Sequence, residues 1–120
     1  MFIIAVFQSG DCYEDSDDRI FPFLAGDYHE DNEKSHCMAA CEGYSYAGLE
    51  HGYQCWCSNI LPDRTLHRPG ECTTICSGNG DEICGGAWRM NIFYVVNSKF
   101  SLLPFLYFVV CVVLSLYSNA

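Results

Sequence analysis

The stretch YSYAGLEHGYQCWC, residues 44–57, decides how the rest of the chain is arranged. It ends on two cysteines, Cys55 and Cys57, that are separated by one residue. Successive side chains of a strand point to opposite faces, so these two thiols share one face. Upstream, Cys37 and Cys41 are four residues apart, a spacing that places both thiols on one side of a helix. The pattern predicts two neighbouring disulfides that join a helix to a sheet.

The cysteine content predicts a small disulfide-stabilised domain. The chain has 120 residues and nine cysteines, of which eight lie between Cys12 and Cys84. A domain of roughly 80 residues buries too little surface to be held together comfortably by apolar packing alone. An even set of cysteines in so short a segment indicates a disulfide framework and an oxidising compartment outside the cytoplasm. The ninth cysteine, Cys111, stands apart in an apolar tail.

The charge balance argues against a nucleic acid partner. Asp and Glu number 15 against 6 Lys and Arg, which gives a formal net charge of −9. Nucleic acid phosphates require a basic surface, which this composition does not supply. The composition is compatible with an extracellular module that binds neutral ligands.

The acidic segment at residues 11–31 is predicted to lie mostly at the surface. Pro22 and Gly26 interrupt it, and residues 14–18 read EDSDD. Such a run can bind calcium, but it lacks the glycine and the distant glutamate of an EF-hand loop. We therefore expect a solvated turn.

A helix is predicted after this segment. Asp31 or Asn32 can cap its start, and it continues through Cys41. Gly43 stands just beyond, where a left-handed residue commonly ends a helix. The inward face is predicted to carry the residues with helical spacing: Cys37, Ala40, Cys41 and Tyr44.

The second half of the chain reads as strands separated by loops. A strand is predicted at residues 53–57 and a closing strand at residues 91–96. Residues 58–70 contain two prolines and few apolar anchors, which favours a surface loop, and residues 77–81 favour a turn. The glycine pair 85–86 predicts a tight bend before the closing strand. It could cradle an anion, but no P-loop lysine or dinucleotide spacing accompanies it.

Four motifs together carry a family resemblance: GDCY at 10–13, YAGLE at 46–50, QCWC at 54–57 and CGGAWRMN at 84–91. With eight cysteines in this order, residues 11–96 resemble a WSC domain, the cysteine-rich module of fungal cell-wall stress sensors and Kremen-type receptors. The resemblance is specific, because the cysteine spacing and the other motifs agree. Asp11 and Ser58 depart from it, since the family usually has glycine at those positions.

The resemblance implies an α+β fold related to PAN/apple modules, in which a helix is stapled across a short antiparallel sheet. It also implies a carbohydrate-binding module without catalytic activity. The family's usual disulfide pairing, carried onto this sequence, joins Cys12 with Cys72, Cys37 with Cys55, Cys41 with Cys57, and Cys76 with Cys84. Spacing alone supports the two staples between helix and strand and leaves the other two pairs open.

Metal binding and catalysis are the alternatives to a disulfide-bonded binding module. Four thiolates from residues 37–57 could hold zinc, but a reducing compartment would leave the other four cysteines without a role. A cysteine in a disulfide has no thiolate to offer a nearby histidine for nucleophilic catalysis. A glycosidase needs paired acids in a deep cleft, which a domain this small lacks. We therefore expect no metal, no cofactor and no enzymatic activity.

Both ends of the chain are apolar. Residues 100–117 contain no charge, and a helix of this length spans about 27 Å, close to the hydrocarbon thickness of a bilayer. We expect residues 97–120 to form a single transmembrane segment with a very short tail and the cysteine-rich domain on the extracellular side. A cleaved GPI signal is the rival interpretation.

Residues 1–10 read as a truncated signal peptide, part of a longer product or a first strand.

Two functional classes remain open: a membrane-tethered module that binds carbohydrate or glycoprotein, and a protein-interaction or structural ectodomain without glycan binding.

Sugars stack their C–H faces on exposed aromatic rings and use their hydroxyls for hydrogen bonds. Trp56 is predicted to point away from the helix and to be exposed, or else to pack beneath residues 58–70. Trp88 is predicted to pack in the core, with ligand contact as the alternative. The other candidate ligand-binding residues are His51 on the turn, Gln54 on the side of Trp56, and Asn59 on that side only if the strand continues. The last candidate, Tyr53, shares the face of Cys55 and is predicted to pack in the core, with exposure near the hairpin bend as the alternative.

Overall fold

The computed structural model describes residues 10–95 together with Val113, Ser115 and Leu116. Residues 10–95 form, in chain order, β1 (Asp11–Glu14), β2 (Phe23–Asp27), α1 (Lys34–Ala40), β3 (Tyr46–Glu50), β4 (Gln54–Ser58), a 3-10 helix (Arg64–Leu66), β5 (Ile75–Cys76), β6 (Asn79–Ile83) and β7 (Arg89–Tyr94). The predictions for residues 1–9 and nearly all of those for 97–120 lie outside the described residues. Within the described part, no helix has the length and apolar character needed to cross a membrane.

The central hairpin of the sheet is formed by the stretch at residues 44–57. β3 and β4 pair antiparallel, and the full sheet has the strand order β1-β7-β3-β4-β2. β5 and β6 form a separate two-stranded ribbon. The predicted strands at 53–57 and 91–96 are confirmed as β4 and β7, with ends shifted by one or two residues. β1 and β2 both lie in the acidic segment, for which a mostly surface location was predicted. These residues form strands because each segment pairs with a strand far along the chain.

The start of α1 differs from the prediction. Glu33 occupies the N-cap position, but its side chain makes no capping hydrogen bond to a backbone N–H of the helix. Asn32 is buried, and its amide donates instead to the backbone carbonyls of Gly52, in the β3–β4 turn, and Gln54, at the start of β4, at 3.3 Å each. The Glu82 carboxylate of β6 accepts a hydrogen bond of 3.0 Å from the backbone N–H of Lys34. A carboxylate from another element therefore caps α1, where the helix dipole favours negative charge.

Four disulfides hold these elements together, in the pairing that the resemblance implies: Cys12–Cys72, Cys37–Cys55, Cys41–Cys57 and Cys76–Cys84. The middle two staple α1 to β4, as the spacing predicts. The Sγ atoms of Cys37, Cys41 and Cys55 lie within 4.8 Å of one another, because the two staples are neighbours. As disulfides, these sulfurs provide no thiolate for zinc.

The sheet has a buried cluster of side chains on each face. On the helix face, the cluster consists mainly of disulfide cysteines packed with Ala47, Leu49 and Phe93, and Tyr44 and Ala40 pack against it. On the other face lies a second cluster: Tyr13, Phe21, Trp56, Met90 and Ile92. The two clusters separate because residues alternate along β4. The second face carries the side chains that could meet a ligand.

Candidate functional site

Trp56 points away from the helix, as predicted, but the prediction that it is exposed is wrong. Only 7% of the residue is exposed, and its Nε1 donates a hydrogen bond of 3.2 Å to the side chain of Gln54. The guanidinium of Arg19 lies 4.7 Å from the centroid of the Trp56 ring and covers it. Trp56 therefore packs beneath Arg19 of the segment that follows β1, and Leu66, from the predicted loop at residues 58–70, packs against the same cluster.

Trp88 takes the exposed position instead. It is 39% exposed, so the predicted core packing of Trp88 is wrong. It lies in a tight turn in which the backbone groups of Gly86 and Arg89 hydrogen-bond to each other at 2.9 and 3.2 Å. The turn projects the indole beyond the sheet. Arg19 contacts this ring as well, with its guanidinium 4.7 Å from the Trp88 centroid.

Arg19 is thus held between two indoles. Its guanidinium is planar and weakly hydrated, properties that suit stacking on aromatic faces. The Nη1 atom also lies 2.9 Å from Oδ2 of Asp15 and 3.4 Å from Oε2 of Glu50. These contacts place Arg19 between the buried Trp56, the exposed Trp88 and two carboxyl groups.

Three further aromatic side chains extend the exposed area around Trp88. The His51 ring meets the Trp88 ring edge-on at 6.2 Å between centroids, and the Tyr53 ring lies 6.2 Å from His51. Tyr53 in turn stacks on His29 at 4.3 Å. Tyr53 is half-buried and lies in the β3–β4 turn. We call the exposed and half-exposed group of Arg19, His51, Tyr53 and Trp88 the Trp88 surface.

The candidate residues do not all meet. Gln54 lies at the start of β4, beside Trp56 and the Trp88 surface. Asn59 follows the other end of that strand, where its Oδ1 accepts a hydrogen bond of 2.9 Å from the backbone N–H of Ser45. Asn59 is therefore separated from Gln54 by the length of β4. The prediction placed Asn59 on the side of Trp56 only if the strand continued, and β4 ends at Ser58.

Backbone strain is concentrated at this surface. Among the described residues, three that are not glycine have positive φ angles: Arg19 at 27°, His51 at 57° and Trp88 at 55°. Positive φ is uncommon for side chains with a Cβ and is an outlier for a bulky one. All three belong to the Trp88 surface. Strained residues persist only where the surrounding structure holds them, and they concentrate at binding and catalytic sites.

A buried carboxyl pair lies beneath the Trp88 surface. Asp15 is 3% exposed and Glu50 is completely buried. Burial raises the pKa of Asp15, but hydrogen bonds from the Glu50 carboxyl, two backbone N–H groups and Arg19 outweigh it, and its pKa lies below the ordinary value. Burial, and then the neighbouring Asp15, raises the pKa of Glu50 to about 8. At neutral pH, Glu50 is therefore protonated beside an ionised Asp15.

Sequence reasoning missed Arg19, Asp15 and the role of Glu50. The acidic run was expected to form a solvated turn, yet Asp15 points inward and accepts hydrogen bonds from the backbone N–H groups of Ser16 and Ile20. One signal was available, since Arg19 is the only Lys or Arg in residues 1–33. A lone cation in an acidic segment indicates a specific carboxylate partner.

This geometry defines a small domain in which disulfides and a five-stranded sheet hold a strained aromatic surface. The family model of the WSC domain matches residues 10–86, more than half of the chain. The chain belongs to the WSC domain family.

Curated relatives match over the same region. Xylosyltransferase oxt of Drosophila melanogaster is 38% identical over 96 residues, which is 75% of this chain and 11% of that protein. A WSC domain-containing protein of Arthroderma benhamiae is 30% identical over 83 residues, 68% of this chain and 12% of that protein. Kremen protein 2 of Mus musculus is 38% identical over 64 residues, 49% of this chain and 14% of that protein. The chain thus matches only a small part of each relative, and the match to the xylosyltransferase covers the WSC module alone.

Proposed function

We propose that this chain is an extracellular WSC module that binds carbohydrate through the Trp88 surface. The observation that carries the proposal is the convergence of three left-handed residues, Arg19, His51 and Trp88, on one exposed aromatic group. Strain of this kind costs of order 1–3 kcal/mol per residue. Strained residues concentrate at binding sites, and here all three border one exposed aromatic group.

The chemistry of the surface suits a neutral sugar ring. The exposed indole of Trp88 offers a flat apolar face for the C–H groups of a pyranose. Arg19 and His51 lie beside it and provide N–H donors for sugar hydroxyls. The net charge of −9 disfavours polyanionic glycans such as sulfated chains. The expected ligand is therefore a neutral polysaccharide or glycoprotein glycan.

The test is binding of the full chain to a glycan array in a detergent that has no sugar headgroup. Trp88→Ala should lower affinity for the bound glycans at least tenfold, which corresponds to about 1.4 kcal/mol. Trp88→Phe retains an aromatic face and should keep most of the affinity. Phe23→Ala is the matched control, because Phe23 is 45% exposed and stacks on Tyr44 on the helix face. Equal binding by Trp88→Ala and the parent would exclude the Trp88 surface as the sugar platform.

Because Trp56 is buried, it is a residue of the core and not the predicted stacking platform for sugar. Because its ring is buried with Phe21 and Met90, Trp56→Ala removes core packing. Truncation of a buried tryptophan costs about 3–5 kcal/mol of stability. We therefore expect reduced secretion of Trp56→Ala, which makes it unsuitable as a selective binding variant.

A protein-interaction ectodomain is the second candidate function. It is favoured by the similarity to Kremen protein 2 and by exposed apolar side chains that follow β4, with Ile60 at 76% and Leu61 at 42% exposure. An array on which the folded parent binds no glycan would favour this candidate.

We also propose that the apolar residues 100–117 tether the module to a membrane as a single span. The support is the absence of charge over eighteen residues of sequence. Removing residues 98–120 should convert a membrane-associated protein into one that carbonate washes release. Release of the full chain by carbonate would contradict the span, and release by phospholipase would indicate a GPI anchor instead.

A further inference from the structure

A pocket of about 220 Å³ lies on the same face of the sheet as Trp56, at the opposite end from the Trp88 surface. Its walls come from the start of β1, the start of β3, the end of β7 and the loop after β4. The residues that shape it are Asp11, Tyr13, Tyr46, Leu61, Arg64 and Tyr94. We call this the Tyr94 pocket.

Two tyrosine rings, one exposed and one half-buried, form part of the lining of the Tyr94 pocket. Tyr94 is 73% exposed, although the strand that carries it is otherwise largely buried. Its ring lies 5.3 Å from the ring of Tyr46, with an angle of 43° between the planes. Leu61, 42% exposed, completes the apolar part of the pocket. The exposed Tyr94 ring, backed by the half-buried Tyr46 and flanked by Leu61, provides a ledge for the flat face of a ring-shaped ligand.

Polar groups also line the pocket, and they hydrogen-bond to one another. Nη1 of Arg64 donates hydrogen bonds of 2.9 Å to the Tyr13 hydroxyl and 3.2 Å to Oδ2 of Asp11. Arg64 begins the 3-10 helix, whose N-cap Asp63 accepts a hydrogen bond of 2.9 Å from the backbone N–H of Thr65. A guanidinium has five N–H donors, and the described contacts of Arg64 use Nη1 alone. The remaining donors and the Asp11 carboxylate can bind hydroxyl groups.

The size and chemistry of the pocket select the class of ligand. A volume of about 220 Å³ holds roughly seven waters, and is smaller than the pockets that take drug-sized molecules. An aromatic ledge beside an arginine donor and a carboxylate acceptor matches the apolar face and hydroxylated edge of one sugar ring. A paired cation and anion also leave the wall without net charge, which suits a neutral ring.

We propose that the Tyr94 pocket binds a second sugar ring of the same polysaccharide that the Trp88 surface binds. This inference rests on the proposed function. β3 connects the two sites, since Glu50 at its end lies beneath Trp88 and Tyr46 at its start lines the pocket. Four residue steps of a strand span about 13 Å. Only an oligosaccharide of several rings can therefore reach both sites.

The test uses ladders of β-1,3- and β-1,4-linked glucose oligosaccharides, from one to six units, with the full chain in a detergent that lacks a sugar headgroup. In the parent, affinity should increase at the length that first reaches the pocket. Tyr94→Ala should abolish that increase, a loss of at least fivefold for the longest member, and leave the shortest bound members unchanged. Tyr94→Phe should restore the increase, and Phe23→Ala, on the helix face, should have no effect.

The outcomes separate this inference from the proposed function. Trp88→Ala should weaken binding at every length, whereas Tyr94→Ala should act on long oligosaccharides alone. If the parent binds long members and Tyr94→Ala binds them equally well, the Tyr94 pocket is not a sugar subsite and the Trp88 proposal stands. If the parent binds no member of either ladder or of a wider glycan array, both proposals are overturned. A folded state of each variant is verified by its four disulfides under non-reducing mass spectrometry.

Discussion

Replacing Glu50 with Gln should remove a pH dependence of stability that the buried carboxyl pair creates. Between the ordinary pKa of 4.5 and about 8, the folded protein keeps a proton on Glu50 that the unfolded chain releases. The folded state then binds more protons, so the free energy of unfolding falls as pH rises through this window. Below pH 4.5 the stabilisation that comes from the proton on Glu50 is fully present, and above about pH 8 it is lost. Asp15 acts in a separate, more acidic window because its pKa is lowered.

The magnitude follows from the width of that window. At 1.36 kcal/mol per pKa unit, the difference between 4.5 and about 8 sets an upper limit of about 5 kcal/mol on the stability that depends on the Glu50 proton. We expect the parent to lose at least about 2.7 kcal/mol between pH 5 and pH 9, equivalent to two pKa units. This is a large part of the roughly 5–15 kcal/mol that stabilises a typical domain. Gln has the shape of protonated Glu and can still donate to Asp15, but it does not titrate, so the variant should lack this loss.

Urea unfolding with intact disulfides, followed by tryptophan fluorescence at pH 5, 7 and 9, provides the measurement. The nearest histidine is His51, whose Nε2 lies 3.7 Å from Oε2 of Glu50. All four histidines are present in both proteins, so the difference between parent and variant isolates Glu50. Glu30→Gln, at an exposed position, is the control for removal of one negative charge. Equal pH slopes in the parent and in Glu50→Gln would refute the reasoning.

Two further predictions concern the framework. Cys41→Ala breaks the Cys41–Cys57 disulfide, which has a sequence separation of 16, and leaves the thiol of Cys57 buried. It should lower the free energy of unfolding by about 3 kcal/mol and reduce secretion. Cys111→Ala is the control and should be secreted like the parent. Gly85→Ala should destabilise by well over 2 kcal/mol in denaturant titrations, because its φ is +71° and an added Cβ would lie 2.2 Å from a backbone oxygen. Gly70→Ala, with φ of +84° and open space around it, should cost only about 1–2 kcal/mol, and equal costs would contradict the proposed clash.

Much of the framework could be predicted because it depends on local spacing. Cysteines four apart on a helix and two apart on a strand each present their thiols on one side, whatever the rest of the chain does. The same alternation correctly places Trp56 on the face opposite Cys55 and Cys57. The strands β4 and β7 were readable for a similar reason, since their aromatic and β-branched residues favour an extended chain.

The binding surface could not be read in this way, because exposure depends on segments distant in sequence. Trp56 is buried because Arg19, 37 positions upstream, lies over its ring, and Trp88 is exposed because a tight turn projects it past the sheet. The burial of Asp15 and Glu50 likewise requires β1 and β3 to lie on either side of β7. The sequence alone determined the family resemblance, the two staples between helix and strand, and the face of β4 on which Trp56 lies. Tertiary structure alone decided which side chains are exposed and which carboxyls share a proton, since burial and charge interactions depend on distances that no local pattern encodes.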